Sequence, residues 1–223
     1  MSKTVLLLGA TGLVGSHCLR LLASDAAFAR VVVLTRRSLP RELAQEKVEA
    51  HVVDFDNLAA HADVFRVDQI ISALGTTIRK VGGDREAFRR VDYAYPLAAA
   101  QLGRARGATH FLLVSSLGAN ARSRVFYSRV KGELEAAVLA LPYRSVTVVR
   151  PSLLLGPRAE ARLGEQIAQQ IAKRLPFLVP AKYAAVDAHA VAALLVRAAR
   201  EDVPGRRIIE SREIRALALA SAH

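Results

Sequence analysis

Tryptophan is absent from this chain, and 223 residues carry one cysteine and one methionine. A single thiol, Cys18, excludes an internal disulfide and any metal site built from several cysteines. Within a helical pattern it reads as a small apolar side chain facing the core. Aromatic residues make up only 5% of the chain, too few to interleave as a base-stacking surface. Long apolar runs are missing too. The one near the start, Val5-Leu6-Leu7-Leu8, is closed by Gly9, well short of an export signal or a membrane span. From that lack a soluble cytoplasmic protein, with no membrane partner, is expected. Histidines stand at 17, 51, 61, 110, 189 and 223, and no pair has metal-ligand spacing backed by a third ligand, so no metal is expected.

What is present in excess is positive charge. There are 32 basic against 20 acidic residues, a net charge of +12, which is an electrostatic argument for a polyanionic partner. The 26 arginines, however, run from Arg20 to Arg215 without gathering into a basic arm. Nucleic-acid binding is therefore disfavoured, and an anionic cofactor or small-molecule substrate suits the charge better. With 52% hydrophobic residues the chain has the apolar content for a full core, which excludes disorder.

Short apolar runs alternate with helical patterns. Strands are expected over residues 3–8, 31–35, 48–53, 69–74, 111–115, 145–149 and 207–209. Helices are expected over 13–23, 87–106, 128–140, 161–174 and 188–200, the last with Asp187 as its N-cap. Strands apolar throughout and separated by helices argue for a parallel sheet buried on both faces. The fold class is thus α/β: a Rossmann-like doubly wound parallel sheet, with a small C-terminal substrate-side region. No repeat, Gly/Ser linker or charge block marks a boundary, so residues 1–223 read as a single nucleotide-binding domain. Residues 151–185, with Pro176 and Pro180 four apart, follow a late strand and are expected to wall the substrate side.

Gly9-Ala10-Thr11-Gly12-Leu13-Val14-Gly15 follows the first strand and opens a helix. Gly9 permits a tight turn, Gly12 lets the backbone approach a pyrophosphate, and Gly15 lets the helix pack closely on the strand. Free N–H groups around Thr11, Leu13 and Val14, with the positive end of the helix dipole, would hold the phosphates. A glycine-rich turn without a ligand is the plainer alternative, and the position and spacing weigh against it. At the end of the second strand an NAD site usually presents a carboxylate to the ribose 2′-hydroxyl. Here the strand ends Thr35-Arg36-Arg37, and two guanidiniums stand where a 2′-phosphate would lie. NADP(H) is therefore favoured over NAD(H), the alternative being that Arg36 and Arg37 are two more surface arginines. Asp54, with Phe55 beside it, follows the third strand and is placed to meet the adenine or to lie in a solvated loop.

Tyr127-Ser128-Arg129-Val130-Lys131 puts a phenol and an ammonium four apart, on one helical face. A nearby positive charge favours the phenolate and makes Tyr127 fit for general acid–base work on a carbonyl or alcohol oxygen; Tyr127 and Lys131 also count among the cofactor-binding residues, Lys131 reaching ribose hydroxyls of a cofactor bound at the strand ends. The pattern is common by chance; its weight comes from Ser115-Ser116-Leu117-Gly118-Ala119, where a serine at a strand end can hydrogen-bond the same oxygen. Arg122, Arg124 and Arg129 lie close by, as binders of an acidic substrate or as solvated loop residues.

With these motifs the chain resembles the short-chain dehydrogenase/reductases of the extended or atypical kind. The resemblance rests on residues 9–15, 115–119, 127–131 and Arg150-Pro151-Ser152-Leu153-Leu154-Leu155-Gly156-Pro157-Arg158, in family order over essentially the whole chain. Within that family the chain is most similar to the group around the thirty-kilodalton Tat-interacting protein, described as NADP-binding oxidoreductases. The resemblance implies a catalytic serine (Ser116 or Ser115), tyrosine (Tyr127) and lysine (Lys131). It also implies that Pro151 and Ser152 flank the nicotinamide and that Leu74-Gly75-Thr76 passes under the cofactor. One departure stands out: the asparagine many members carry in the helix after the fourth strand is Asp92 here. The C-terminal region is also small, which leaves the pocket open or completed by a partner subunit.

Two functions follow. One is an NADP(H)-dependent oxidoreductase acting on a small carbonyl or alcohol, Tyr127 its general acid/base. The other is a non-catalytic NADP(H)-binding redox sensor working through a protein partner, which Asp92 and the small substrate region motivate. Retention of Ser116, Tyr127 and Lys131 together favours the enzyme.

Overall fold

A computed structural model describes residues 2–155 and 185–220. Its main sheet has seven strands: β1 (Lys3–Leu8), β2 (Phe28–Thr35), β3 (Val48–Val52), β4 (Gln69–Ser72), β5 (His110–Val114), β6 (Ser145–Arg150) and β9 (Gly205–Glu210). They lie in the order β3-β2-β1-β4-β5-β6-β9 and every pairing is parallel. A second, two-stranded parallel sheet pairs β7 (Leu154–Leu155) with β8 (Val186–Asp187).

The apolar strands are explained by two cores, one on each face. Val5, Leu7, Val31, Val33, Ile71 and Leu112 face a core shared with α1 (Leu13–Ser24) and α5 (Ala188–Glu201). Leu6, Leu8, Val32, Leu34, Ile70 and Phe111 face the other, filled by α3 (Tyr95–Ala105), α4 (Phe126–Ala140) and the 3-10 segment Phe55–Phe65. Side chains alternate across a strand, so both parities are apolar when both faces are covered. Each buried Val or Leu there contributes about 1.5–3 kcal/mol of transfer free energy. Cys18 lies fully buried in the first core, and burial pushes its thiol up to about 12.

All seven expected strands are present, with ends that move by up to three residues. The fourth stops at Ser72 instead of 74: Ala73 still donates to the Leu8 carbonyl at 3.0 Å, and then the chain leaves the sheet. Asp187 caps α5 as expected, its carboxylate accepting from the amides of His189 (2.7 Å) and Ala190 (3.3 Å). The helix expected over 87–106 is not continuous. It opens as α2 (Arg85–Arg89), capped by Asp84, widens into a π turn over Arg90–Ala94, and resumes as α3. Pro96 explains the widening, because it lacks the N–H that would donate to the residue 92 carbonyl and its ring would crowd that carbonyl. The segments 41–43 and 55–65, the pair β7–β8 and α6 (Ser211–Ala220) carry no signal strong enough to be read beforehand. The expected helix at 161–174, and the substrate-side region beyond Leu155, lie outside the described residues.

Candidate active site

The strand order reverses direction between β1 and β4. From β1 the chain runs outward through β2 and β3; from β4 it runs the other way. Ligands in open parallel sheets bind at that switch point, beyond the carboxyl ends of the strands. The first glycine loop leaves β1 there. Gly9 has φ +81°, and a Cβ on it would come within 2.6 Å of the Ala73 carbonyl oxygen, so glycine is required. A Cβ on Gly15 would lie 2.0 Å from the Gly9 oxygen, which fixes how closely α1 rides on β1. Gly12 differs: its Cβ would meet only the Gly9 oxygen, at 3.2 Å, and otherwise open space. Gly12 is also the N-cap of α1, with no side-chain cap and no acid in the first turn. Thr11 and Gly12 are exposed, Leu13 is half-buried and Val14 buried. The start of α1 thus offers uncapped amides and a positive dipole end to an anion, as a dinucleotide pyrophosphate requires.

Arg36 and Arg37 stand exposed beyond β2, with no carboxylate partner among the described residues. Asp54 caps the segment Phe55–Phe65 by accepting from the Asp56 amide at 2.9 Å, and Phe55 is buried 5.4 Å from the Tyr95 ring. Tyr95 donates to Asp56 at 2.9 Å. Burial first, then Asp56, raise its phenol above the usual value, while Arg90 and Arg36 pull the other way. Tyr95 therefore ties α3 to the segment after β3. Sequence reasoning missed it, since nothing local links residue 95 to residue 56.

The hydroxyls of Ser115 and Ser116, just past β5, are buried with no hydrogen-bond partner among the described residues. Their backbones are held: the Ser115 amide donates to the Val149 carbonyl and the Leu117 amide to the Pro151 carbonyl, both at 2.8 Å. Ser72 and Ser145 are buried without a partner too, but Ser115 and Ser116 are the two on the loop that packs against α4, where they could meet a ligand oxygen. Tyr127 lies in the first turn of α4 and is 40% exposed, with its ring 5.8 Å from Phe88. Gly132 lets the loop bearing Ser115–Ser123 lie on α4, for a Cβ there would sit 2.2 Å from the Ala121 nitrogen.

Lys131 is buried, its side chain 5% exposed, and its ammonium lies 2.8 Å from Oδ1 of Asp92, which has no exposed surface. Burial alone disfavours the ammonium. The charges of Asp92 and then Tyr127 outweigh it, and the lysine pKa lies above its ordinary value. The second Asp92 oxygen accepts from the Thr76 amide at 2.7 Å. The π turn places Asp92 there, so the residue that departs from the family pattern is central to the site. Leu74 is half-buried, and Gly75 is exposed above the pair. Further along, Arg150 grips Glu135 through Nε (3.0 Å) and Nη2 (2.5 Å), anchoring Pro151 and Ser152, whose hydroxyl accepts from Ser211 at 2.8 Å. Arg129 is not free for a substrate: it donates to the Ser123 carbonyl at 3.0 Å and lies 3.9 Å from Glu133. Arg122 and Arg124 remain exposed.

Residues 5–208 match the model of the NAD dependent epimerase/dehydratase family. The chain belongs to that family. It is 39% identical over 196 residues to Protein HTATIP2 of Rattus norvegicus, covering 87% of this chain and 80% of that one. It is 34% identical over 171 residues to Protein FMP52, mitochondrial, of Candida albicans, covering 74% and 73%. These matches bear out the resemblance read from the motifs. Among solved structures, WbmG of Bordetella bronchiseptica in complex with NAD superposes with a TM-score of 0.70 at 14% identity, over 94% of this chain and 73% of that one. MoeE5 in complex with UDP-glucose and NAD gives 0.70 at 16%, over 98% and 81%. At that identity they show the fold, and both hold NAD.

The fungal relatives correct one expectation. Several carry the name mitochondrial, so a cytoplasmic location is not supported. The expectation ran from the missing apolar run, which bears on export signals and membrane spans and not on addresses read from amphipathic or basic segments. Among the described residues no helix is long and apolar enough to cross a membrane.

Proposed function

We propose that this protein is an NADP(H)-dependent oxidoreductase acting on the carbonyl or alcohol of a small anionic substrate. The observation that carries the reading is the pair of buried, unpartnered serine hydroxyls at the end of β5, on the loop that packs against the helix of Tyr127 and Lys131. The residues fit a nicotinamide dinucleotide: the space in front of Gly12 is one a side chain would narrow, and the helix start behind it has no cap of its own. Thr11 to Val14 would hold the pyrophosphate, and Arg36 and Arg37 a 2′-phosphate, where a carboxylate would repel it. Asp54 and Phe55 would border the adenine, and Leu74 to Thr76, Pro151 and Ser152 the nicotinamide end.

Bound there, the nicotinamide supplies or accepts the hydride. The protein's own residues handle the oxygen. Ser116 or Ser115 donates a hydrogen bond to it, and Tyr127 gives it a proton during reduction or takes one during oxidation. Lys131, held protonated, stabilises the phenolate that remains. The exposed Arg122 and Arg124 add positive potential beside the mouth, which favours an anion.

A non-catalytic NADP(H)-binding regulator is the second reading, and the Asp92–Lys131 pair favours it, because an ammonium whose charge is compensated by a carboxylate acts less strongly on Tyr127. Carbonyl reduction by wild-type protein and by Tyr127→Phe separates the two. The enzyme reading expects turnover that falls at least 100-fold in Tyr127→Phe with nucleotide affinity unchanged. Nucleotide binding without turnover on a broad carbonyl panel moves the conclusion to the regulator.

A further inference from the structure

Beside Tyr127 the crevice mouth shows apolar side chains that helix stability does not explain. Val125 is the N-cap of α4, has no side-chain capping bond, and is 63% exposed. Valine is among the poorest residues at that position, so the helix gives up stability there. Its exposure is built in. The Ser123 hydroxyl accepts from the Val125 amide at 3.1 Å, Asn120 Oδ1 accepts from the Arg122 amide at 2.8 Å, and Arg129 holds the Ser123 carbonyl. On the loop after β4, Ile78 is 42% exposed, in a turn closed by the Gly83 amide on the Ile78 carbonyl at 2.8 Å. The two loops end against each other. Arg85 lies over the Phe126 ring at 5.2 Å, and Phe88 packs on both Phe126 and Tyr127.

The same two loops carry Arg79, Arg122 and Arg124, all exposed and without a side-chain partner among the described residues. Across residues 73–84 and 115–126 the only acid is Asp84, and it is occupied as the cap of α2. Arginines at the other end of the sheet are engaged: Arg66 with Asp63, Arg144 with Asp202, and Arg206 with three carbonyls. Exposed apolar side chains rimmed by uncompensated positive charge mark a binding surface for a ligand of matching character. We infer that the substrate of this site is an anionic amphiphile: its aliphatic chain lies over Ile78 and Val125, and its carboxylate or phosphate meets Arg79, Arg122 and Arg124. The inference rests on the proposed function and names the substrate class which that function leaves open. A short polar anion would satisfy the guanidiniums and leave both aliphatic side chains in water. An uncharged lipid would do the reverse. A methylene fully removed from water tightens binding about fourfold, and at an open mouth about twofold per methylene is expected.

Calorimetric titration with straight-chain carboxylates from acetate to octanoate, below micelle concentrations and with and without NADPH, reads this without any hydride transfer. Affinity should rise with chain length, and octanoate should bind at least tenfold tighter than butanoate and than octan-1-ol. Octyl phosphate run beside octanoate shows which headgroup the arginines take, and tight binding of either supports the inference. Ile78→Ser and Val125→Ser, both at exposed positions, should together flatten the chain-length dependence. Val125→Ser also gives α4 a better cap, so loss of fold does not confuse the result. Arg122→Ala with Arg124→Ala should weaken octanoate at least fivefold. Affinity independent of chain length overturns the inference, as does octan-1-ol binding as tightly as octanoate, or no binding of octanoate and octyl phosphate. Binding to phosphatidylglycerol vesicles without binding of the soluble amphiphiles also overturns it, because the patch then meets a membrane surface and not a substrate. Carbonyl turnover with NADPH tests the proposed function separately, so either can fail alone.

Discussion

The two ends of the sheet each hold an aspartate–lysine pair, and the pairs are built differently. At the amino end Asp202, held at φ +50°, lies 3.3 Å from Lys3 and 2.6 Å from Arg144, with His110 Nδ1 at 3.0 Å. Lys3 also donates to the carbonyls of Ala199 and Arg200 at the end of α5, which closes that helix. Every charge there has several protein partners and some contact with water. At the carboxyl end Asp92 and Lys131 form one ion pair with each other and no other among the described residues, almost wholly buried behind an exposed glycine. The first arrangement is shared, redundant and structural. The second is sparse and directed at the crevice. Redundancy of partners, more than burial, separates scaffold from site in this molecule.

That contrast breaks most visibly if one charge is removed from each pair. Lys131→Met leaves a buried carboxylate alone and should lower the unfolding free energy by about 3–5 kcal/mol in urea titration. Asp202→Asn keeps the left-handed backbone that asparagine tolerates and leaves Lys3 its carbonyls, so about 1 kcal/mol is expected. Equal losses at the two positions would erase the distinction.

The amino end should also be the acid-sensitive one. Burial lowers the His110 pKa to about 4 against the partial opposition of Asp202. A histidine whose folded pKa is depressed contributes stability that is fully present above about 6.5 and is lost as pH falls toward 4, because the unfolded chain binds the proton more readily. The loss approaches about 3 kcal/mol. Unfolding followed from pH 7 to pH 4.5 should show it in wild-type protein, and His110→Gln should flatten that part of the curve.

Within the glycine loop the comparison sharpens further. Gly15→Ala drives a methyl into the Gly9 carbonyl and should cost about 1–3 kcal/mol in thermal unfolding. Gly12→Ala should leave stability within about 1 kcal/mol and weaken nucleotide binding roughly tenfold, read by calorimetry. An effect as small belongs to the amino end again. Arg206 donates to the carbonyls of Leu139, Leu141 and Tyr143 where α4 stops, and Arg206→Ala should cost about 1 kcal/mol.

Much of the fold was legible because seven apolar runs and a glycine loop are local signals, and a sheet buried on both faces leaves both parities of each strand apolar. The loop around Gly9, the cap at Asp187 and the pairing of Tyr127 with Lys131 on one helix could all be read from neighbours in the chain. What stayed hidden depends on contacts between distant residues. Asp92 stood out as a departure, yet its surroundings needed the π turn over Arg90–Ala94 and the approach of Thr76 and Lys131. Tyr95 is held by Asp56, thirty-nine positions away. The long 3-10 segment Phe55–Phe65 escaped notice because kinks at Asn57 and His61 break its periodicity.

The proposed preference for the phosphorylated cofactor is tested most directly by calorimetric titration of the purified protein with NADPH and NADH. If Arg36 and Arg37 hold the 2′-phosphate, which NADH lacks, saturable binding of NADPH at least tenfold tighter than that of NADH is expected. Equal affinities would contradict the role given to the two arginines, and no binding of either nucleotide would contradict the site itself.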